Sequence, residues 1–143
     1  MSRQARQARQ ARQARLQAAA SYDARTLAIA ETRDFTEAFL AQAAAWGVVV
    51  ADVQRGDALL VVSELVTNVV RHAPGPCTLA LDLHESQLQI EASDTSQQPP
   101  TAQPFQPGRI GQHGLEIVLA LCNQVTTQTA ECGKTVRAHL ALE

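Results

Sequence analysis

The sequence predicts an α+β fold, a two-layer sandwich in which helices cover one face of a mostly antiparallel sheet. Two segments in the middle of the chain alternate apolar and polar residues with a period of two, and a short polar link joins them. A second pair of such segments closes the chain, and the helical segments lie before and between the two pairs. Strands joined by short links pair as antiparallel hairpins, whereas the grouped helices form a separate layer.

Length and composition indicate one domain whose core is built from aliphatic side chains. The chain has 143 residues, and aromatic residues make up only 3% of them. Stacking platforms for single-stranded nucleic acid need several aromatic side chains, so this kind of binding is excluded. The first fifteen residues carry five arginines and no acid, while the remaining seven basic residues face fourteen acidic ones. The body therefore has a net charge of −7, which argues against direct nucleic-acid binding.

The N-terminal segment predicts a flexible tail over residues 1–22, and one folded domain follows over residues 23–143. Residues 3–14 are four copies of Arg-Gln-Ala. All three residue types favour helix, but a repeat of three spreads each type around the helix axis, so no apolar face forms. A solubilising tail is one interpretation, and a contact with an acidic partner or an Arg-rich transit peptide are the alternatives.

Cysteine use and hydropathy predict a cytoplasmic protein with no membrane association. The three cysteines form no Cys-x-x-Cys pair, which is typical of reduced thiols in a reducing compartment. No apolar run approaches the roughly 20 residues of a membrane-spanning helix. Arginine repeats, rather than the apolar segment of a secretory signal, follow the first methionine.

The first half of the chain predicts one short strand and two helices. Residues 26–30 form the strand, and residues 32–45 form a helix that Thr32 caps. A longer helix spans residues 53–72, with Asp52 as its N-cap. A Pro-Gly-Pro run directly after this helix stops it.

The second half predicts two hairpins separated by a long loop and a short helix. Residues 77–84 and 87–93 form the first hairpin through the link Glu85-Ser86. A polar, Pro-rich loop then runs from Asp94 to about Gln112, and a loop of this length in a small domain is typical of a lid or a disordered segment. The remaining elements are a helix over 113–121 and strands over 125–130 and 135–142.

The most informative stretch is the long helix, which carries Glu64, Asn68 and His72 at intervals of four residues. Residues four apart share one face of an α-helix, and the rest of this segment is almost wholly apolar. A buried carboxylate and amide cost free energy unless they have partners. One turn apart, their oxygens can hold a divalent cation or a water bound to one. We interpret the stripe as the metal-binding and catalytic face of a nucleotide site, the alternative being a solvated helix face.

This stripe, with the pattern E-L-x-x-N-x-x-x-H-A, resembles the N-box of the GHKL ATPase superfamily, whose nucleotide-binding domain has the Bergerat (histidine-kinase-like ATPase) fold. The order of elements over residues 24–142 is similar as well, above all to the small serine kinases that act as bacterial anti-sigma factors. The resemblance implies that Asn68 holds Mg²⁺ at the phosphates of ATP and that Glu64 is the general base. Arg71 and His72 lie at the end of the same helix, a position from which they can reach the phosphates.

Asp94 carries the second part of the resemblance, because it directly follows a strand. In the family an Asp here accepts a hydrogen bond from the adenine amino group. A buried acceptor that loses its partner with guanine discriminates well between the two bases. The family usually has glycines two and four positions further on, where this chain has Ser96 and Gln98. Ser96 is small enough to sit close to a base, whereas Gln98 implies a different loop path.

Two glycine-containing segments complete the resemblance. The first is similar to the second glycine box of the family, where a loop leads into a helix N-terminus and backbone N–H groups bind phosphate oxygens. The segment begins at Gly111, and Gly114 and Leu115 match best. Gln112 stands where the family often has a glycine, and His113 is unusual at its position. His113 either contacts a phosphate or is a partly exposed loop histidine. The second segment, Gly-Lys-Thr ending at Thr135, resembles the final Gly-x-Thr element, whose Thr hydroxyl touches the nucleotide. An ordinary hairpin turn is the alternative.

The resemblance implies a serine/threonine protein kinase that uses ATP and Mg²⁺ and also binds a sigma factor. The acceptor would be a serine of a STAS-type anti-sigma-factor antagonist, so that phosphorylation regulates transcription by partner switching. The family also implies a homodimer. A competing hypothesis is a non-catalytic protein-binding module with a degenerate nucleotide site, which the missing glycines at Ser96 and Gln98 motivate. A sensor histidine kinase fragment is disfavoured, because the N-terminal segment carries no phosphoacceptor histidine.

Overall fold

The computed structural model describes residues 2–6, 15–23, 29–72, 75–94, 114–130 and 133–142. The strands are β1 Arg15–Asp23, β2 Pro76–His84, β3 Gln87–Asp94, β4 Gln124–Ala130 and β5 Gly133–Ala141. They form one sheet in the order β1-β2-β3-β5-β4, and all neighbouring strands are antiparallel. The helices are α1 Ile29–Ala45, α2 Asp52–His72 and α3 Gly114–Leu121. Residues 3–6 add one helical turn.

The helices cover one face of the sheet, and the core lies between the two layers. Helix α2 packs on β3 and β5 and also contacts α1 and α3. Every second residue of the three central strands is buried beneath the helices; the largest of these are Leu79, Leu81, Leu83, Leu88, Ile90, Val136 and Leu140. Each such aliphatic side chain stabilises the fold by about 1.5–3 kcal/mol relative to an exposed one. The predicted α+β fold, with an antiparallel sheet and an aliphatic core, is confirmed.

The hairpin between β2 and β3 forms as the sequence predicts. Its two linking residues, Glu85 and Ser86, have φ angles of 52° and 62°. Positive φ at both central residues is the geometry of a type I′ turn, whose twist matches that of the flanking strands. The carbonyl of Ser86 also accepts a hydrogen bond from the Leu142 amide at 2.9 Å, which ties this turn to the segment after β5.

The N-terminal boundary of the folded domain differs from the prediction. Residues 15–22, which were expected in the flexible tail, belong to β1 and pair with β2 along its whole length, from Arg15 opposite His84 to Asp23 opposite Pro76. The strand forms because every second residue from Leu16 onward is half-buried against the core. This period of two was missed because the segment follows a repeat of helix-favouring residues. Strand pairing and burial override helix propensity in such a segment. Residues 7–14 of the expected tail lie outside the described residues.

The start of α1 also differs from the prediction. Ile29 and Ala30 were expected in a strand but lie in the first turn of the helix, and residues 26–28 of that strand lie outside the described residues. Thr32 is not the N-cap, since it is buried inside the helix and its hydroxyl donates to the Ile29 carbonyl at 2.7 Å. Within the described part of the chain, no helix combines the length and apolar character needed to cross a bilayer.

Candidate functional site

Several elements meet at one end of the sheet, which we call the Asp94 end. Strand β3 stops there at Asp94, and the antiparallel neighbours β2 and β5 begin there. The chain leaves α2 at His72 and enters β2 at Pro76. Because only three residues separate these positions, the C-terminal end of α2 arrives at the Asp94 end as well.

The opposite end of α2 lies at the far end of the sheet. The amide of Ala51, just before the helix, donates to the carbonyl of Leu142, just after β5, at 3.4 Å. The 21 residues of α2 give it a length of about 30 Å, which is close to that of a nine-residue strand. The helix therefore runs along the sheet and delivers its last two turns, with Asn68 and Arg71, to the Asp94 end.

Glu64 and Asn68 lie on one face of α2 and are both half-buried, whereas Leu65, Val66 and Val69 between and beside them are buried in the core. A face that was fully solvated would expose the two polar side chains, and a core face would exclude them. Half-burial of a carboxylate and an amide one turn apart suits residues that line a ligand site. Arg71 is exposed near the end of the helix, where its cation is accessible to an anionic ligand.

The N-terminus of α3 points toward the same end of the sheet. A two-residue link joins α3 to β4, so the helix runs back against that strand. Its C-terminal end is tied to the far part of β5 by the Asn123 amide, which donates to the His139 carbonyl at 2.8 Å. Gly114 is the first residue of the helix and Leu115 is half-buried. The N–H groups of its first turn and the positive dipole end of this helix suit phosphate oxygens.

Asp94 forms a buried ion pair with a residue that the sequence analysis did not include in the site. Its Oδ2 lies 3.6 Å from Nζ of Lys134, and the two side chains are 0% and 2% exposed. The residues face each other in the register of β3 and β5. Lys134 lies two and four residues before Val136 and Ala138, so all three side chains face the helices. The alternation of faces along β5 could therefore have predicted from the sequence that Lys134 is buried.

Thr135 is placed differently from what the resemblance implies. It lies between two residues that face the helices, so its side chain is on the open face of the sheet. There its hydroxyl forms a hydrogen bond of 3.0 Å with the hydroxyl of Ser93. The structure therefore does not bring Thr135 together with Asp94, because a shift of one residue along a strand exchanges the two faces. Lys134 occupies the position beside Asp94 instead.

Cys77 completes a row of side chains at the Asp94 end. It is the second residue of β2, and the β2–β3 register, in which Thr78 faces Ser93, brings it beside Asp94. Burial raises the pKa of the Cys77 thiol, and the negative charges of Asp94 and Asp23 raise it further. The thiol is therefore protonated at neutral pH and not nucleophilic.

The remaining predicted site residues cannot be located in the described part of the chain. Ser96, Gly111 and His113 lie in residues 95–113, outside the described residues, and only the backbone of His72 is described. Among the described residues, no group of three or more His, Cys, Asp or Glu side chains is arranged to hold a metal ion. Grooves that described residues form elsewhere, on the open face of the sheet near Asp82 and between α1 and α2, do not involve the Asp94 end.

Comparison with protein families gives a match over nearly the whole chain. The family model described as "Histidine kinase-like ATPase domain" matches residues 3–140. The matched span contains the three helices, the strands β1 to β4 and all of β5 except its last residue. It includes every residue that the structure places at the Asp94 end. No curated protein matches the sequence.

Comparison with solved structures gives one match that supports the same fold, and one weaker match. The structure of the RsbU and RsbW domains of Rv1364c from Mycobacterium tuberculosis is similar, with a TM-score of 0.66 and 19% identity over 89% of this chain and 32% of that chain. The match thus spans about a third of that protein. The histidine kinase domain of a blue-light activated histidine kinase from Erythrobacter litoralis EL346 has a TM-score of 0.44 and 22% identity over 62% of this chain and 45% of that chain.

Proposed function

Since the chain belongs to the histidine kinase-like ATPase domain family, we propose that it binds ATP with Mg²⁺ at the Asp94 end of the sheet and phosphorylates a protein. The acceptor in this proposal is a serine or threonine of an anti-sigma-factor antagonist, and the kinase also binds the sigma factor that the antagonist releases. The observation that supports the proposal is that the last two turns of α2, which carry Asn68, and the N-terminus of α3 lie at the end of the sheet where β3 stops at Asp94. Glu64 lies one turn before Asn68 on the same face of α2.

The chemistry of these residues fits a nucleotide with a divalent cation. The amide oxygen of Asn68 is a hard ligand of the kind that Mg²⁺ prefers, and the cation would complete its shell with phosphate oxygens and water. The N–H groups of the first turn of α3 would donate to phosphate oxygens. The carboxylate of Asp94 would accept a hydrogen bond from the base. Ser96, Gly111 and His113 are proposed to line the same site, as the resemblance implies.

Glu64 has the central role in the proposed reaction. Bound ATP with Mg²⁺ supplies the phosphoryl group and the charge neutralisation. The Glu64 carboxylate, half-buried one turn before Asn68, would orient the hydroxyl of the acceptor and take its proton as the hydroxyl oxygen bonds to the γ-phosphorus. The bond from that phosphorus to the bridging oxygen would break at the same time, and ADP would leave with the electron pair. Arg71 would stabilise negative charge on the phosphate oxygens from the end of α2. Phosphoryl transfer needs mainly positioning and electrostatic stabilisation, so this small set of groups suffices.

Two variants test the proposed roles. Asn68→Ala should weaken Mg²⁺-dependent ATP binding at least tenfold, since the cation loses a protein ligand, and calorimetric titrations with and without Mg²⁺ measure this. Glu64→Gln should keep ATP affinity within a few-fold and abolish the transfer of labelled phosphate to the antagonist. Gln42→Ala, which removes an exposed amide from α1, is the matched control and should change neither. Phosphate transfer by Glu64→Gln at the wild-type rate would remove Glu64 as the base.

The second candidate function is a protein-binding module that has lost nucleotide chemistry. The buried pair between Asp94 and Lys134 favours it, because an internal cation already occupies the carboxylate that the base would use. Thermal unfolding separates the candidates, since a ligand at 100 times its Kd stabilises the folded state by about 2.7 kcal/mol. A melting temperature that does not rise in millimolar ATP with Mg²⁺ would favour the binding module over the kinase.

A further inference from the structure

Two exposed leucines lie on the helix layer near Glu64. Leu60 of α2 is 40% exposed, and Leu119 of α3 is 52% exposed. Leu60 precedes Glu64 by one helical turn, so the two side chains share a face of α2. The other large hydrophobic side chains that are exposed in the described part of the chain lie around the connection from α1 to α2; they are Trp46, Val49 and Val53. Leu60 is therefore the exposed apolar residue of α2 that lies nearest to Glu64.

Leu119 lies at the same level as Leu60 on the neighbouring helix. Helices α2 and α3 pack against each other and run in opposite directions, because the end of α2 and the start of α3 both lie at the Asp94 end. Burial raises the pKa of the Cys122 thiol, and the negative charge of Asp57 raises it further, so these two residues lie close together. Leu119 precedes Cys122 by three residues and Leu60 follows Asp57 by three. Since residues three apart share a helix face, both leucines flank the groove between the helices, and we call them the leucine patch.

The leucine patch adjoins the residue that must reach the acceptor hydroxyl in the proposed reaction. The residues on either side of the acceptor serine therefore come within a few ångströms of the α2 face that carries Glu64. Cβ atoms four residues apart on a helix face are separated by about 5–6 Å. Side chains two residues apart on one side of an extended segment are separated by about 6.5 Å. A serine at Glu64 in an extended segment that follows α2 thus brings the side chain two positions away from it onto Leu60.

We propose that the leucine patch binds an apolar side chain two residues from the phosphorylated serine or threonine, in an acceptor segment that binds in extended form. The inference rests on the proposed kinase function and adds to it the kind of acceptor sequence that the enzyme takes. An apolar side chain would remove Leu60 and Leu119 from water, which favours binding in proportion to the apolar area buried. A polar side chain at the same position would lose its hydration against two leucines that offer no hydrogen bond.

The test uses sets of short peptides with one central serine. One flanking position at a time is fixed as Leu or Gln, and the remaining positions are mixtures that contain no Ser or Thr. Transfer of labelled phosphate from ATP with Mg²⁺ by the full chain gives kcat/KM for each set. The wild type should prefer Leu over Gln by about tenfold two positions before or after the serine. This preference is measured without any substitution, so it tests the inference even if a variant does not fold.

Substitution of both leucines assigns the preference to the patch. Leu60→Gln with Leu119→Gln should abolish the preference and leave the affinity for ATP unchanged; Leu and Gln have similar helix propensities, and both positions are exposed. Leu60→Met with Leu119→Met keeps an apolar surface and should keep the preference. Val53→Gln is the matched control, because Val53 is 70% exposed on the same helix but lies about 16 Å from Glu64 along the axis. It should behave as the wild type.

The outcomes separate this inference from the proposed function. Equal transfer to the Leu and Gln peptides by the wild type, or a preference that the Gln double variant keeps, would overturn the inference and leave the kinase function intact. Phosphorylation of the antagonist without phosphorylation of any peptide would overturn it as well, because the inference places recognition in the residues next to the serine. If the wild type and Val53→Gln transfer phosphate neither to the antagonist nor to any peptide, the proposed function itself fails.

Discussion

Breaking the ion pair between Asp94 and Lys134 should destabilise the fold much more than breaking an exposed pair. The two side chains are 0% and 2% exposed, so either group left alone keeps a charge that has little access to water. Removal of one partner from a buried pair costs about 3–5 kcal/mol. We therefore expect Lys134→Met to lower the free energy of unfolding by about this amount, and Asp94→Asn to lower it similarly.

The double variant measures the free energy of interaction between Asp94 and Lys134. With both charges gone, neither group remains buried and uncompensated, so Asp94→Asn with Lys134→Met should be less destabilised than the two single losses added together. Residues in direct contact couple by about 0.5–3 kcal/mol, and we expect a value in the upper half of this range. Urea unfolding followed by far-UV circular dichroism measures all four proteins.

The pair between Glu37 and Arg55 is the control for this cycle. Its nitrogen–oxygen distance is shorter, at 2.6 Å, but its side chains are 43% and 49% exposed. Water and salt screen such a pair, and its coupling should be about 0.2–1 kcal/mol. If the exposed pair couples as strongly as the buried one, or if the buried pair is additive, then burial does not control the strength of these interactions and the reasoning is refuted.

Three further predictions follow from contacts outside the site. Deletion of residues 2–14 should change the free energy of unfolding, measured by urea titration, by less than about 1 kcal/mol. Deletion of residues 2–23 removes β1 and exposes the edge of β2. This longer deletion should cause unfolding or aggregation, which urea titration and light scattering would show. A hydrogen bond from Arg15 lowers the pKa of Asp82. The ionised carboxylate therefore stabilises the fold by at most about 1 kcal/mol at neutral pH, and this stabilisation is lost as the pH falls through the lowered pKa. The difference in free energy of unfolding between the wild type and Asp82→Asn should accordingly vanish in acid. Burial raises the pKa of Cys122 to about 11, so iodoacetamide should label it slowly at pH 8 and rapidly in urea, as peptide mass spectrometry would measure.

Local periodicity accounts for the elements that the sequence predicted correctly. The β2–β3 hairpin and the long helix α2 each repeat their pattern over many residues, with a period of two in the strands and of about 3.6 in the helix. The placement of Glu64 and Asn68 on one face of α2 follows from their spacing alone. The two-residue link Glu85-Ser86 predicts a hairpin with a tight turn between β2 and β3.

The elements that the sequence analysis missed depend on partners far away in the chain. Strand β1 forms because the edge of β2, more than 50 residues away, is available to pair with Arg15–Asp23. A window of Arg, Gln and Ala contains no information about that edge, and its intrinsic preference is helical. Tertiary pairing overrode this preference.

The composition of the site at the Asp94 end is decided in the same way. Asp94 was identified from its position after a strand, but its neighbour across the sheet depends on the register between β3 and β5. That register places Lys134 beside Asp94 and turns Thr135 to the other face, because a strand exchanges faces at every residue. Residue types and periods along the chain therefore determine the secondary structure and the α2 motif, whereas pairing between distant strands determines which charges share the buried end of the sheet.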